Sequence, residues 1–99
     1  MVADLVAAVQ PARVIVFGSV ARGEDSGDSD LDLLVLVEDL TAKDRRRLMS
    51  AIRRAIGAPI PIDILVASVS EYEAGKDVNG SPYYWPAREG RVVHERPTA

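Results

Sequence analysis

Two aspartates two residues apart, Asp30 and Asp32, stand at the opening of an apolar run that ends at Val37. A third, Asp63, interrupts the apolar run "IPIDILVA". In an extended chain, residues two apart project to the same side with Cα atoms about 6.5–7 Å apart. The carboxylates of Asp30 and Asp32 can therefore converge on one ion. If the strand bearing Asp63 lies alongside, at about 4.8 Å, three carboxylates gather in one place. Such a cluster is hard to explain as structure, because unpaired carboxylates lose hydration and repel one another. Two hard divalent cations resolve the repulsion, and oxygen-only donors suit Mg2+. Two-metal sites stabilise the attacking and leaving oxygens of a phosphoryl displacement.

The partner of a metal in that chemistry is a phosphate chain, and Gly18-Ser19 has the character of a phosphate cradle. Glycine admits a phosphate close to the backbone, and the amides opening a helix supply donors and the positive end of a dipole. The Ser19 hydroxyl adds another donor. Taken singly these features are ordinary: Gly-Ser is a strand-end turn, Asp30 a loop acid, and Asp63 an edge-strand residue paired with arginine. The conjunction is what has weight. A strand, Gly-Ser, ten residues, Asp-x-Asp opening a second strand, and an acid inside a third follow one another along the chain.

Two competing motifs fail. Asp28, Asp30 and Asp32 alternate as in a calcium loop, but Leu33 occupies the position that needs glycine. Asp39 replaces the bidentate glutamate of that loop. The phosphate loop ending in Gly-Lys-Ser/Thr is absent as well.

The elements that must position these residues are short. Asp4 is expected to cap a first helix that Pro11 ends. "RVIVF", residues 13 to 17, is a β-branched strand stopped at Gly18, and Ser19 opens a brief helix. "GEDSGDS" is loop by composition. Leu31 to Val37, apolar on both faces, reads as a central strand. Thr41 caps a helix reaching about Ile56, with Leu48, Ile52, Ala55 and Ile56 as its buried stripe and Gly57 as its stop. "IPIDILVA" is a third strand, with Ile62, Ile64 and Val66 on the face opposite Asp63. Ser68 or Ser70 caps a short helix through Ala74, "YYWPAREG" is a turn or helical turn, and "RVVHE" is a last strand. The alternation of helices and strands predicts a single α/β (α+β) domain over residues 1–99, one sheet with helices packed on it.

Composition narrows the partners. With 47% hydrophobic and 27% charged residues the chain is expected to fold around a core. It has no cysteine, which excludes disulfides and thiolate metal sites. Neither a leader pattern nor a membrane-length apolar run is present, so no membrane partner and a cytoplasmic location are expected. The net charge of −3 argues against a general nucleic-acid binder. Charge is also segregated: seven of the fifteen acids fall between Glu24 and Asp39, and five of the twelve bases between Arg45 and Arg54.

In "GSVARGEDSGDSDLDLLV" the spacing Gly18-Ser19, ten residues, Asp30-Leu31-Asp32 resembles the polymerase-β-like nucleotidyltransferases, in particular their minimal (MNT) members. Ala21-Arg22-Gly23 and Ser29 fit the fuller pattern, Asp63 in "PIDILV" falls at the third carboxylate, and the ending "SPYYWPAREGRVVHE" is similar too. The resemblance implies a small mixed sheet flanked by helices that binds ATP and two Mg2+ ions. It implies that Asp30 and Asp32 hold both metals, and that Asp63 holds one and helps activate the acceptor hydroxyl. It also implies an antitoxin role, in which AMP passes from ATP to a tyrosine of a HEPN-domain ribonuclease toxin. The rivals are the same chemistry on an RNA end or a small hydroxylated compound, and an antitoxin that acts by binding alone.

Other residues carry two readings. Arg22 reaches a phosphate or supports the acidic loop, or else sits on a helix surface. Ser29 bonds a phosphate or caps the turn before the strand, and the resemblance favours the phosphate. Arg45, Arg46, Arg47, Arg53 and Arg54 are expected on a solvated helix face, with an attachment surface as the alternative. Of Tyr83, Tyr84 and Trp85, at least one is expected buried and one exposed. His94 is expected on a strand surface.

Overall fold

The computed structural model describes residues 2–18, 31–57 and 62–96. The first helix, α1 (Val2–Val9), ends where Gln10 takes a positive φ of 47° and Pro11 follows. Asp4, expected as its cap, lies instead within the first turn, where an acid is favoured by the helix dipole. Strand β1 (Arg13–Phe17) then leads to Gly18.

Strand β2 (Leu31–Val37) explains its own composition. It pairs with β1 on one side, antiparallel, and with β3 (Ile62–Ser68) on the other, parallel. Both of its faces are covered, and Leu33 through Val37 are all buried. Strand β4 (Arg91–Glu95) adds to the far side of β1, antiparallel, giving the mixed order β3-β2-β1-β4.

Alternation along the strands divides the core in two. Val14, Leu33, Val35, Ile64 and Val66 face Leu5 of α1 and Ile52 of helix α2 (Ala42–Ile56). Ile15, Leu34, Leu36 and Ala67 face the other way, under Tyr72 of helix α3 (Val69–Gly75). Helix α4 (Tyr84–Glu89) closes against β1. At Gly90, just after α4, an added Cβ would lie 2.3 Å from the Pro86 carbonyl oxygen and 2.4 Å from Ile15 Cγ2. Only glycine allows that approach.

The caps fall on the expected residues of α2. Thr41 Oγ1 accepts from the Asp44 amide at 3.1 Å, and Gly57 ends the helix at φ 62°. In α3 the cap is Ser68, not Ser70. Ser68 and Glu71 satisfy each other's backbone amides in a capping box. The third strand extends one residue beyond its expected end, to Ser68, and its expected first two residues lie outside the described ones. The expected brief helix from Ser19 also falls outside the described residues.

Two expectations need correction. None of Tyr83, Tyr84 and Trp85 is fully buried: the tyrosines are half-buried and Trp85 is exposed. Tyr72 is the buried aromatic, and Tyr83 packs edge-on against it with ring centroids 6.2 Å apart. Arg45 leaves the solvated face of α2. Its guanidinium donates to Glu71 Oε1 and Oε2 at 3.1 and 3.0 Å and to the Val66 carbonyl, tying α2 to β3 and α3. Arg46, Arg47, Arg53 and Arg54 stay exposed as expected, and His94 is half-buried on β4.

Candidate active site

Strand register builds the candidate site. Phe17 pairs with Asp32 across β1–β2, and Asp32 pairs with Asp63 across β2–β3. The three residues form one row across the sheet. Register partners on adjacent strands point to the same face, so Asp32 and Asp63 project side by side, about 4.8 Å apart along the sheet. The next row inward on that face, Ile15–Leu34–Leu65, is apolar and belongs to the core under Tyr72. The acids therefore crown an apolar floor at the end of the sheet where β2 and β3 begin. Asp32 is half-buried and Asp63 exposed.

Gly18 completes this edge. It follows the row directly and has φ 90°, a conformation that side chains rarely adopt. A Cβ there would lie 2.2 Å from Asp32 Oδ2. The missing side chain is the space that the Asp32 carboxylate occupies.

Of the residues expected at the site, Gly18, Asp32 and Asp63 are thus brought together. Ser19, Arg22, Ser29 and Asp30 lie outside the described residues. Among the described residues no cluster of three metal-ligating side chains occurs. The donors that are present still suit a hard divalent cation: two carboxylates on adjacent strands, level with each other and open to solvent on one side.

Beside the acids, on the β1 side, a cleft of about 290 Å³ is lined, among the described residues, by Phe17, Gly18, Trp85 and Glu89. Trp85 holds its ring edge-to-face on Tyr84, centroids 5.1 Å apart, and Tyr84 in turn lies 3.8 Å under the Arg88 guanidinium. Arg88 is anchored by donating to the Lys76 carbonyl at 2.7 Å. Sequence reasoning assigned no site role to Glu89 or Phe17. Their signal was available only through the register and the packing of α4.

Electrostatics away from the row is structural. The Ser68 amide, donating to Glu71, holds that carboxyl below its ordinary range against the opposing effect of burial, with Arg45 adding to the lowering.

A model of the family described as nucleotidyltransferase domain matches residues 2–85. The chain belongs to the nucleotidyltransferase-domain family. A relative of this nucleotidyltransferase-domain protein from Methanocaldococcus jannaschii, named "Putative protein adenylyltransferase", is 36% identical over 58 residues. That match covers 58% of this chain and 56% of the relative, little more than half of its length. Two solved structures share the fold. A nucleotidyltransferase-type crystal structure from Sulfolobus solfataricus superposes with a TM-score of 0.63 at 20% identity, covering 96% of this chain and 74% of that one. A mutant of the toxin–antitoxin MntA-HpeT superposes with a TM-score of 0.57 at 19% identity, covering 96% and 70%. At these identities the likeness is one of fold. Among the described residues no helix is long and apolar enough to cross a membrane.

Proposed function

We propose that this protein is an antitoxin that moves AMP from ATP to the hydroxyl of a tyrosine on a cognate HEPN-domain toxin, using Mg2+. The observation that carries the reading is the level pair Asp32 and Asp63 beside Gly18. Membership in the nucleotidyltransferase-domain family supports it, as do the name of the archaeal relative and the toxin–antitoxin character of one fold neighbour.

In this reading Asp30, Asp32 and Asp63 hold the ions. Bound there, divalent ions supply charge neutralisation of the phosphates. Gly18, Ser19, Arg22 and Ser29 receive the triphosphate. The acceptor oxygen attacks the α-phosphorus and its proton passes to the Asp63 carboxylate. The bond from the α-phosphorus to the bridging oxygen of the β-phosphate breaks, and pyrophosphate leaves. Asp63 suits the base role because it is exposed, where an incoming acceptor can reach it. Catalysis is then positioning plus electrostatics.

The test is intact mass spectrometry of a co-expressed HEPN toxin. The toxin gains one or more AMP adducts on tyrosine with the wild-type protein and none with Asp63→Asn. An unmodified toxin that is nevertheless silenced equally by both proteins would overturn the reading in favour of binding alone.

A further inference from the structure

We propose that the cleft between Phe17 and Trp85 is the nucleobase subsite, with Trp85 as the stacking surface and Glu89 as the reader of an exocyclic amino group. This rests on the reading of the Asp32–Asp63 row as a nucleotide-transfer site.

Three observations converge on it. The cleft and the acidic row share a boundary: Gly18 lines the one and abuts Asp32 in the other, and Phe17 is the register partner of Asp32. A molecule whose phosphates lie at Gly18 and the acids therefore has this cleft immediately beside it. The walls also suit a base. Phe17 and Trp85 are aromatic, and Trp85 is 57% exposed, an unusual outlay of apolar ring surface at the mouth of a polar site. Finally, the ring is braced rather than loose, through Tyr84, Arg88 and the Lys76 carbonyl. A pre-positioned ring loses little freedom when a base stacks on it.

Glu89 is the acid among the described residues that line the cleft. Its carboxylate only accepts hydrogen bonds when ionised, so it favours a base edge that donates, such as the 6-amino group of adenine, over a keto edge. The sequence alone offered no base-reading residue, because Phe17 and Glu89 are seventy-two positions apart and meet only when α4 packs on β1.

Trp85 is the single tryptophan of the chain, so its fluorescence reports the cleft directly. The experiment titrates the protein with Mg-ATP and, separately, with Mg-tripolyphosphate. Calorimetry runs in parallel on the wild type, Trp85→Ala, Trp85→Phe and Glu89→Gln. ATP is expected to quench the tryptophan while tripolyphosphate, which has no base, binds without quenching. Trp85→Ala should weaken ATP binding on the order of 10- to 100-fold and leave tripolyphosphate unchanged, and Trp85→Phe should restore most of the loss. Glu89→Gln should narrow the preference for ATP over GTP. Calorimetric ATP binding with no change in fluorescence, and undiminished in Trp85→Ala, would overturn the base subsite while leaving the transfer site standing. Absence of binding for both ATP and tripolyphosphate would overturn the subsite together with the transfer reading beneath it.

Discussion

Gly18 and Asp32 occupy one another's space: a methyl group on Gly18 would sit 2.2 Å from Asp32 Oδ2. The contact links two motifs that are fourteen positions apart and explains why a strand-end glycine matters to a carboxylate. Gly18→Ala must either push the carboxylate aside or leave φ 90°. The backbone cost is about 1–2 kcal/mol. Transfer should fall much further than stability, by at least ~100-fold, because an ångström-scale displacement of a positioned group is costly. Denaturant melts alongside turnover assays separate the two effects.

Asp32→Asn and Asp63→Asn should abolish transfer, and Asp63→Asn, at an exposed position, should leave the metal-free fold intact or slightly stabilised by removing one of two like charges set side by side. Binding of Mg-ATP at ten times its dissociation constant is worth about 1.4 kcal/mol to the wild type. For a domain of this size that raises Tm by about 6–11 °C. The variants should lose most of that gain. Thermal melts with EDTA and with Mg-ATP measure it, and a large loss of stability of Asp63→Asn in EDTA would count against a metal role for that residue.

The Glu71 latch has a different signature. Its folded-state pKa lies below the ordinary 4.5, first through the Ser68 amide and then, against the effect of burial, through Arg45. A carboxyl lowered on folding stabilises the protein above its unfolded pKa, and the contribution is lost as pH falls through the folded value. Glu71→Gln should therefore cost stability near pH 7 and flatten the dependence below about pH 4.5, where the wild type loses the same contribution. Both partners are more than a third exposed, so the expected cost is modest, about 1 kcal/mol. Urea midpoints across the pH range measure it.

Gly90 controls α4. A side chain there meets the Pro86 carbonyl and Ile15 at once, and one of those two is backbone. Gly90→Val should cost about 1–3 kcal/mol as overpacking. It should also shift the emission of Trp85 by displacing the helix that carries it. Melts and fluorescence of the same sample check both consequences.

Much of the scaffold could be read from local signals. β1 and β2 match the expected bounds because β-branched and apolar runs end at glycine and at acids. Thr41 and Gly57 delimit α2 through capping, which depends on a few neighbouring residues. What stayed hidden was non-local. Strand direction was left open by the alternation of elements, and the parallel pairing that levels Asp32 with Asp63 exists only once β3 docks. Arg45 looked like one more base on a polar face, since its partner Glu71 is twenty-six residues away. The role of Tyr72 as the buried aromatic follows from the packing of α3 across β2 and β3. The carboxylate spacing pointed to the chemistry early, whereas the cleft beside it was not legible until α4 was in place.

Transfer of AMP from ATP to the toxin is tested with ATP labelled either at the α- or at the γ-phosphate. The protein is incubated with its toxin and Mg2+, and label on the toxin is compared for wild type, Asp32→Asn and Asp63→Asn. α-Label alone is expected to remain on the toxin, with pyrophosphate released and both variants leaving the toxin unlabelled. Retention of γ-label, or α-label transferred equally by the variants, would contradict it.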